Sequence, residues 1–168
     1  MIIDDAITCV ARKQTPVILT RFKEHAKFLH DALKEKADHV FLLYGDNSDK
    51  ENAEIRVKLK QIPENESLIL VATGQKIGEG FDFPRLDVLM LAAPVSFEGR
   101  LEQYVGRLNR DYVGKEAVYV YDYIDSHVRY FDKMYAKRLR TYRKTGFSIW
   151  TQELQPKQII NAIFDSLN

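Results

Sequence analysis

In the run Gln103-Tyr-Val-Gly-Arg-Leu-Asn-Arg110, two arginines stand three residues apart. On a helix, positions i and i+3 share a face, so the guanidinium groups of Arg107 and Arg110 can converge. Such a pair matches a triphosphate, whose charge spreads over several oxygens in the transition state. A solvated helix surface or an ion pair is the plainer alternative. Upstream, Asp82 follows Gly78 and Gly80. A carboxylate there can accept from a ribose hydroxyl, and Gly80 can let its backbone approach a nucleotide; a simple turn aspartate is the competing reading. The spacing Gly-x-Gly-x-x-Gly is absent, which excludes a dinucleotide fingerprint. At Thr73-Gly74 a hydroxyl and exposed amides can hold a backbone phosphate without reading bases. Gly45 opens a loop onto a helix N-terminus, where anions are also favoured. Capping and turn geometry compete with phosphate binding at Thr20, Gly45 and Thr73.

These residues need elements that carry them to one edge of a sheet. Short apolar runs at Val17–Leu19, Val40–Tyr44, Leu68–Ala72, Val88–Ala93 and Ala117–Ile124 read as strands. Residues 1–13 read as a helix, with Ile3, Ile7 and Val10 at helical spacing. A helix over Phe22–Lys36 would face the core with Phe22, Ala26, Leu29 and Leu33, with Thr20 as its cap. Ser48 and Glu51 fit a capping box, followed by the stripe Ile55, Leu59 and Ile62, which Pro63 ends. Another helix carries Gln103, Gly106, Arg107 and Arg110, with Gly106 allowing close packing. His127–Lys144 reads as a helix facing the core through Val128, Phe131, Tyr135, Leu139 and Tyr142, closed by Gly146. Phe147–Trp150 suits a short strand, and Pro156–Leu167 a last amphipathic helix. The alternation predicts an α/β fold with a mostly parallel sheet flanked by helices in three layers. In such sheets ligands bind outside the carboxyl ends of the strands.

Residues 71–82, Val-Ala-Thr-Gly-Gln-Lys-Ile-Gly-Glu-Gly-Phe-Asp, resemble motif V of superfamily 2 helicases. Residues 103–110 resemble motif VI, Gln-x-x-Gly-Arg-x-x-Arg, and Thr20-Arg21 resembles motif IV. Motifs V and VI in this order and separation make the match specific. The resemblance covers roughly residues 15–125, more loosely the basic tail, and is closest to DEAD/DEAH-type helicases of restriction and defence systems. It implies a second, C-terminal RecA-like domain of an ATP-dependent helicase, a nucleoside triphosphatase. It also implies arginine fingers at Arg107 and Arg110, and ATP contacts at Gly80, Asp82 and Gln103. Nucleic-acid contacts are implied at Thr20, Arg21, Gly45, Thr73 and Gly74. Tyr104 stands where several helicase families carry a further motif VI arginine.

The chain contains no Gly-x-x-x-x-Gly-Lys-Ser/Thr and no Asp-Glu-x-Asp/His box. In the family these belong to the first RecA-like domain. The expectation is therefore a C-terminal fragment or separately expressed domain, inactive alone. ATP and Mg²⁺ would be bound mainly by an N-terminal RecA-like partner of the same protein. The expected division is a leading helix or linker at 1–14, the RecA-like domain at 15–125, and a C-terminal helical extension at 126–168. A non-catalytic nucleic-acid-binding or protein-interaction module on a decayed motor fold is the alternative.

Composition narrows the partners. A length of 168 residues suits one domain. The formal net charge of +1 makes no case for nucleic acid unless basic residues cluster. They do cluster in Arg129, Lys133, Lys137, Arg138, Arg140, Arg143 and Lys144, interleaved with Tyr130 and Tyr142. That helix reads as a nucleic-acid face or as a solvated outer face. DNA is favoured over RNA as the partner. Cys9 stands alone, which excludes an intrachain disulfide and suits a reducing, cytoplasmic setting. No apolar run reaches membrane-span length, and no signal-peptide pattern opens the chain. The four histidines form no ligand spacing with Cys9, so no metal site is expected. No set of nucleophile, base and oxyanion donors is recognisable.

Overall fold

The computed structural model describes residues 1–74, 76–77, 81–93, 98–124 and 128–150. Five strands form one parallel sheet: β1 (Pro16–Thr20), β2 (His39–Leu43), β3 (Leu68–Thr73), β4 (Val88–Leu91) and β5 (Tyr119–Asp122). Their order is β2-β3-β1-β4-β5, and every neighbouring pair runs parallel. Helices α1 (Ile2–Ala11), α2 (Lys23–Leu33), α3 (Asp49–Gln61), α4 (Glu98–Leu108) and α5 (Arg129–Lys144) cover it. This is the RecA-like α/β arrangement expected from the alternation of runs.

The central strands β1, β3 and β4 are buried along their whole length because both sheet faces are covered there, while the edge strands β2 and β5 are only partly buried. Successive side chains point to opposite faces. Val17, Leu19, Leu68, Leu70, Ala72, Leu89 and Leu91 pack on one side with Leu59 of α3, Leu101, Tyr104, Val105 and Leu108 of α4, and Tyr142 of α5. Ile18, Ile69, Val71, Val88 and Met90 pack on the other with Ala6 and Cys9 of α1 and Ala26, Leu29 and Leu33 of α2. Helix α1 is thus fastened to the sheet, and the Tyr123 hydroxyl donates to Asp5 of α1 at 2.8 Å.

Local signals fix several ends. The Ser48–Glu51 capping box forms: the Glu51 N–H donates to Ser48 Oγ at 3.2 Å, and the Ser48 N–H donates to Glu51 Oε2 at 2.7 Å. Helix α5 ends at Gly146, whose φ of +84° favours glycine. The Phe147 N–H donates to the Tyr142 carbonyl and the Gly146 N–H to the Arg143 carbonyl, a Schellman pairing. The Tyr142 and Phe147 rings meet across it.

Other expectations need correction. Phe22 does not face the core; it is the N-cap of α2 and 62% exposed, because the helix starts one residue later than its apolar stripe suggests. Thr20 is therefore not the cap, though its Oγ1 accepts from the Phe22 N–H at 3.3 Å. Helix α5 buries Met134, Arg138, Thr141 and Tyr142, while Val128 is exposed, so the buried face is rotated from the expected one. Phe147–Trp150 forms no strand. The helix expected at 156–167 lies outside the described residues.

Candidate functional site

Strands β2, β3 and β1 lie side by side, and their carboxyl ends bring Gly45, Thr73-Gly74 and Thr20-Arg21 to one edge. Thr20 and Thr73 are register partners. Both are buried, and the Gly74 N–H donates to the Thr20 carbonyl at 3.2 Å. The Gly74 amide is therefore committed inside the fold, contrary to its reading as an exposed donor. The Thr20 hydroxyl also lies 3.1 Å from His25 Nδ1. Burial lowers the His25 pKa, which favours the neutral ring beside that hydroxyl. Gly45 and Arg21 are exposed. Lys23 lies against Gly45, where an added Cβ would meet its Cε at 3.2 Å, and its ammonium forms an ion pair with Asp46.

A second corner forms where α4 meets the loop after β3. Leu101, Tyr104, Val105 and Leu108 anchor α4 on the sheet. The Tyr104 hydroxyl donates to the Gly74 carbonyl at 2.7 Å. A Cβ on Gly74 would lie 2.8 Å from that hydroxyl, so Tyr104 and Gly74 fit each other closely. Nothing in the sequence pattern marked Tyr104 for this contact; its own signal was only its departure from arginine.

Arg107 donates from Nη1 to the Phe81 carbonyl, and Arg110 forms an ion pair with Asp82. The two arginines thus meet consecutive residues of one loop, but not from one helix face. Helix α4 ends at Leu108, and Arg110 lies in the bend beyond it. Lys115 holds that bend: its ammonium donates to the carbonyls of Pro84 at 2.9 Å, Arg110 at 3.1 Å, and Leu108. Burial lowers the Lys115 pKa, with Asp87 and Asp111 acting against it. A lone lysine in a turn gave no hint of this role in the sequence.

Gln103 is exposed on α4. Gly106 is exposed too, and an added Cβ would meet nothing within 4 Å among the described residues, so no close packing against them calls for a glycine there. Gly80 lies outside the described residues.

The arginine corner suits an anion. Arg107 keeps a buried Nε without an acceptor among the described residues. The Arg110–Asp82 pair is about half exposed on both sides, at 47% and 52%, so each partner remains available to a ligand. Guanidinium donors that reach two oxygens suit an anion with several oxygens, and the Asp82 carboxylate is an acceptor beside them. No group of three His, Cys, Asp or Glu side chains able to hold a metal occurs among the described residues. No helix among them is long and apolar enough to cross a membrane.

Helix α5 divides its basic residues. Arg129, Lys133, Lys137, Arg140, Arg143 and Lys144 are exposed. Arg138 is 3% exposed and belongs to the core, not to a solvated or ligand-binding face. It grips Asp122 at the end of β5 through Nε at 2.7 Å and Nη2 at 2.8 Å, and the Tyr142 hydroxyl donates to the same carboxylate at 2.9 Å.

No protein-family model matches the chain. Over 118 residues it is 33% identical to the 161L protein of Invertebrate iridescent virus 6, named as a candidate helicase; this is 69% of the chain and 22% of that protein. Over 99 residues it is 32% identical to transcript termination protein A18 of Yaba-like disease virus, 59% of the chain and 20% of that protein. The chain spans about a fifth of the length of these curated relatives. Among solved structures, T4 UvsW matches with a TM-score of 0.65 and 23% identity, over 85% of this chain and 31% of that one. Domain 2 of the Mss116p DEAD-box helicase, solved with an RNA duplex, matches with a TM-score of 0.60 and 17% identity, over 93% of this chain and 62% of that one.

Proposed function

We propose that this chain, whose fold is that of the C-terminal RecA-like domain of superfamily 2 helicases, serves as the second motor domain of an ATP-dependent helicase or translocase. The observation that carries the reading is the meeting of Arg107 and Arg110 with Phe81-Asp82 at the carboxyl edge. ATP belongs in the cleft between this domain and an N-terminal RecA-like partner of the same protein, which also supplies the Mg²⁺ site. ATP with Mg²⁺ supplies a phosphoryl group whose transfer to water drives domain motion. In this chain Arg107 and Arg110 neutralise phosphate charge as arginine fingers. Asp82, with Gly80 and Gln103, holds the nucleoside side. Tyr104 and Lys115 keep α4 and its following bend in register with the loop after β3. Thr20, Arg21, Gly45, Thr73 and Gly74 form the nucleic-acid edge, with DNA favoured over RNA. This division places nucleotide and strand on adjoining loops of one sheet edge, so cleft closure can shift the grip on the strand.

The test uses the two-domain protein. Arg107→Ala and Arg110→Ala should each lower ATP turnover by ~10²-fold or more, since arginine fingers are worth about 10³–10⁵. Lysine at either position should rescue poorly, because an ammonium lacks the planar fork. Turnover near wild type in both alanine variants refutes the finger assignment.

A further inference from the structure

The hydroxyl of Thr20 and the amide of Gly74 are engaged inside the fold. The cationic side chains around the same edge are differently placed. Lys23 opens α2 directly after β1, and Lys76 follows β3 by three residues. Each is met by an aspartate from the segment that leads into α3: Lys23 by Asp46 of the β2–α3 loop, and Lys76 by Asp49, the first residue of α3, at 3.6 Å. The Asp46 contact raises the Lys23 pKa. Lys76 is further fixed from behind, its N–H donating to the Thr73 carbonyl at 2.9 Å and its own carbonyl accepting from Arg56 Nη2 at 3.5 Å.

We infer that Lys23 and Lys76 are phosphate-binding residues of the nucleic-acid edge, and that Asp46 and Asp49 occupy them in place of phosphate until a strand arrives. The inference rests on the nucleic-acid edge proposed above and names its charge-bearing groups and their internal competitors. Both pairs have solvent access: Lys23 and Asp46 are each about half exposed, and Asp49 is fully exposed beside the quarter-exposed Lys76. Exposed pairs of this kind are weakly held and screened by salt. A polyanion that offers successive phosphates can displace two separate carboxylates, whereas an isolated anion must compete with each alone. The lysine beside Gly45 is the closer fit, because the glycine leaves the Lys23 stem room to swing across the loop. The exchange lets a domain of formal net charge +1 present cations only to a strand. It opposes the capture of stray anions at the edge.

The experiment measures binding of single-stranded oligothymidylate to the full-length protein over a salt series, without nucleotide. Lys23→Gln and Lys76→Gln should each weaken binding and reduce the salt slope by about 0.7, the increment for one phosphate contact on a single strand. Asp46→Asn should tighten binding about two- to fivefold at low salt. The double variant Asp46→Asn with Lys23→Gln should bind like Lys23→Gln alone, because the carboxylate acts only through that lysine. Additive effects in this cycle overturn the exchange, since Asp46 then acts as a remote charge. Unchanged slopes in both lysine variants overturn the phosphate contacts. A wild-type protein that binds no oligonucleotide at any salt removes the proposed nucleic-acid edge itself, an outcome separate from wild-type binding that the variants fail to alter. Melting curves of all variants should coincide with wild type, which keeps misfolding out of the comparison.

Discussion

Two arginine–aspartate pairs close two loops of this sheet, in opposite surroundings. Arg138 and Asp122 join α5 to the end of β5 with side chains 4% and 9% exposed. Arg110 and Asp82 join the bend after α4 to the loop after β3 with side chains about half exposed. In the buried pair two guanidinium bonds and a tyrosine hydroxyl meet one carboxylate, and the guanidinium also lies 5.9 Å from the Tyr135 ring centre. That carboxylate pushes the Tyr142 hydroxyl, already raised by burial, well above the ordinary tyrosine pKa. A pair with so little solvent access serves packing rather than an incoming ligand. The exposed pair can trade partners at little expense, which is what a ligand-binding arginine requires.

The largest expected effect comes from breaking the buried pair. Arg138→Ala leaves Asp122 charged and without its bidentate partner, and should lower unfolding stability by about 3–5 kcal/mol. Replacing both charges with apolar residues, Arg138→Met with Asp122→Leu, should recover much of that loss, because the desolvation of two ions is removed together. Urea titrations of the three proteins provide the measurement. A loss below ~1 kcal/mol for Arg138→Ala is the value of an exposed pair and dissolves the contrast.

Lys115 lies between the two cases. It is one cation serving three carbonyls, and it holds the bend from which Arg110 reaches Asp82. Lys115→Met keeps the stem and removes the donor, and should cost about 1–3 kcal/mol for the acceptors left behind. Amide hydrogen exchange around residues 108–115 should accelerate more than exchange in β1 or β3. Uniform acceleration through the sheet counts against a local clip at α4.

The sequence misplaces only one of these two arginines in packing: Arg138 is buried where its basic run suggests an outer face, whereas Arg110 is exposed as expected but lies beyond the helix end. Arg138 sat in a basic run and read as solvated or ligand-facing, because its acceptor is sixteen residues away on another element. Burial of a charge is a property of the partner, and periodicity does not record partners. Arg110 reads as helical because no proline interrupts the run before it and Gly106 is carried inside the helix; the helix nevertheless ends at Leu108, and Lys115 ties down the carbonyls of the bend beyond it. Phe22 continues the apolar stripe of α2 past the point where the backbone leaves the helix, so the pattern points it at the core while the fold exposes it. Features with local causes are legible: the central strands β1, β3 and β4, buried on both faces; the Ser48–Glu51 box; and the glycine that ends α5. The likeness of residues 71–82 and 103–110 to helicase motifs pointed to the loop and helix that the fold places in contact. It carried no information on Tyr104 or Lys115, since these act on main-chain carbonyls rather than on a ligand.

The smallest expected effect is the most discriminating. Arg110→Ala removes a pair that water already half-screens, so it should cost only about 0.2–1 kcal/mol in unfolding stability. That cost should shrink further as salt rises, because the screening length for exposed charges falls from about 10 Å at 0.1 M salt to about 3 Å at 1 M. Arg138→Ala should show no comparable salt dependence, since solvent ions do not reach a pair that is 4% and 9% exposed. The two variants should therefore diverge with added salt, one approaching wild type and the other staying far below it. The same Arg110→Ala protein, placed beside the N-terminal motor domain proposed for it, is the one expected to lose ~10²-fold in ATP turnover. A residue that hardly matters to folding and matters greatly to turnover acts on the ligand. If Arg110→Ala destabilises as much as Arg138→Ala, the exposed pair is a second structural clamp and the finger assignment loses its physical basis.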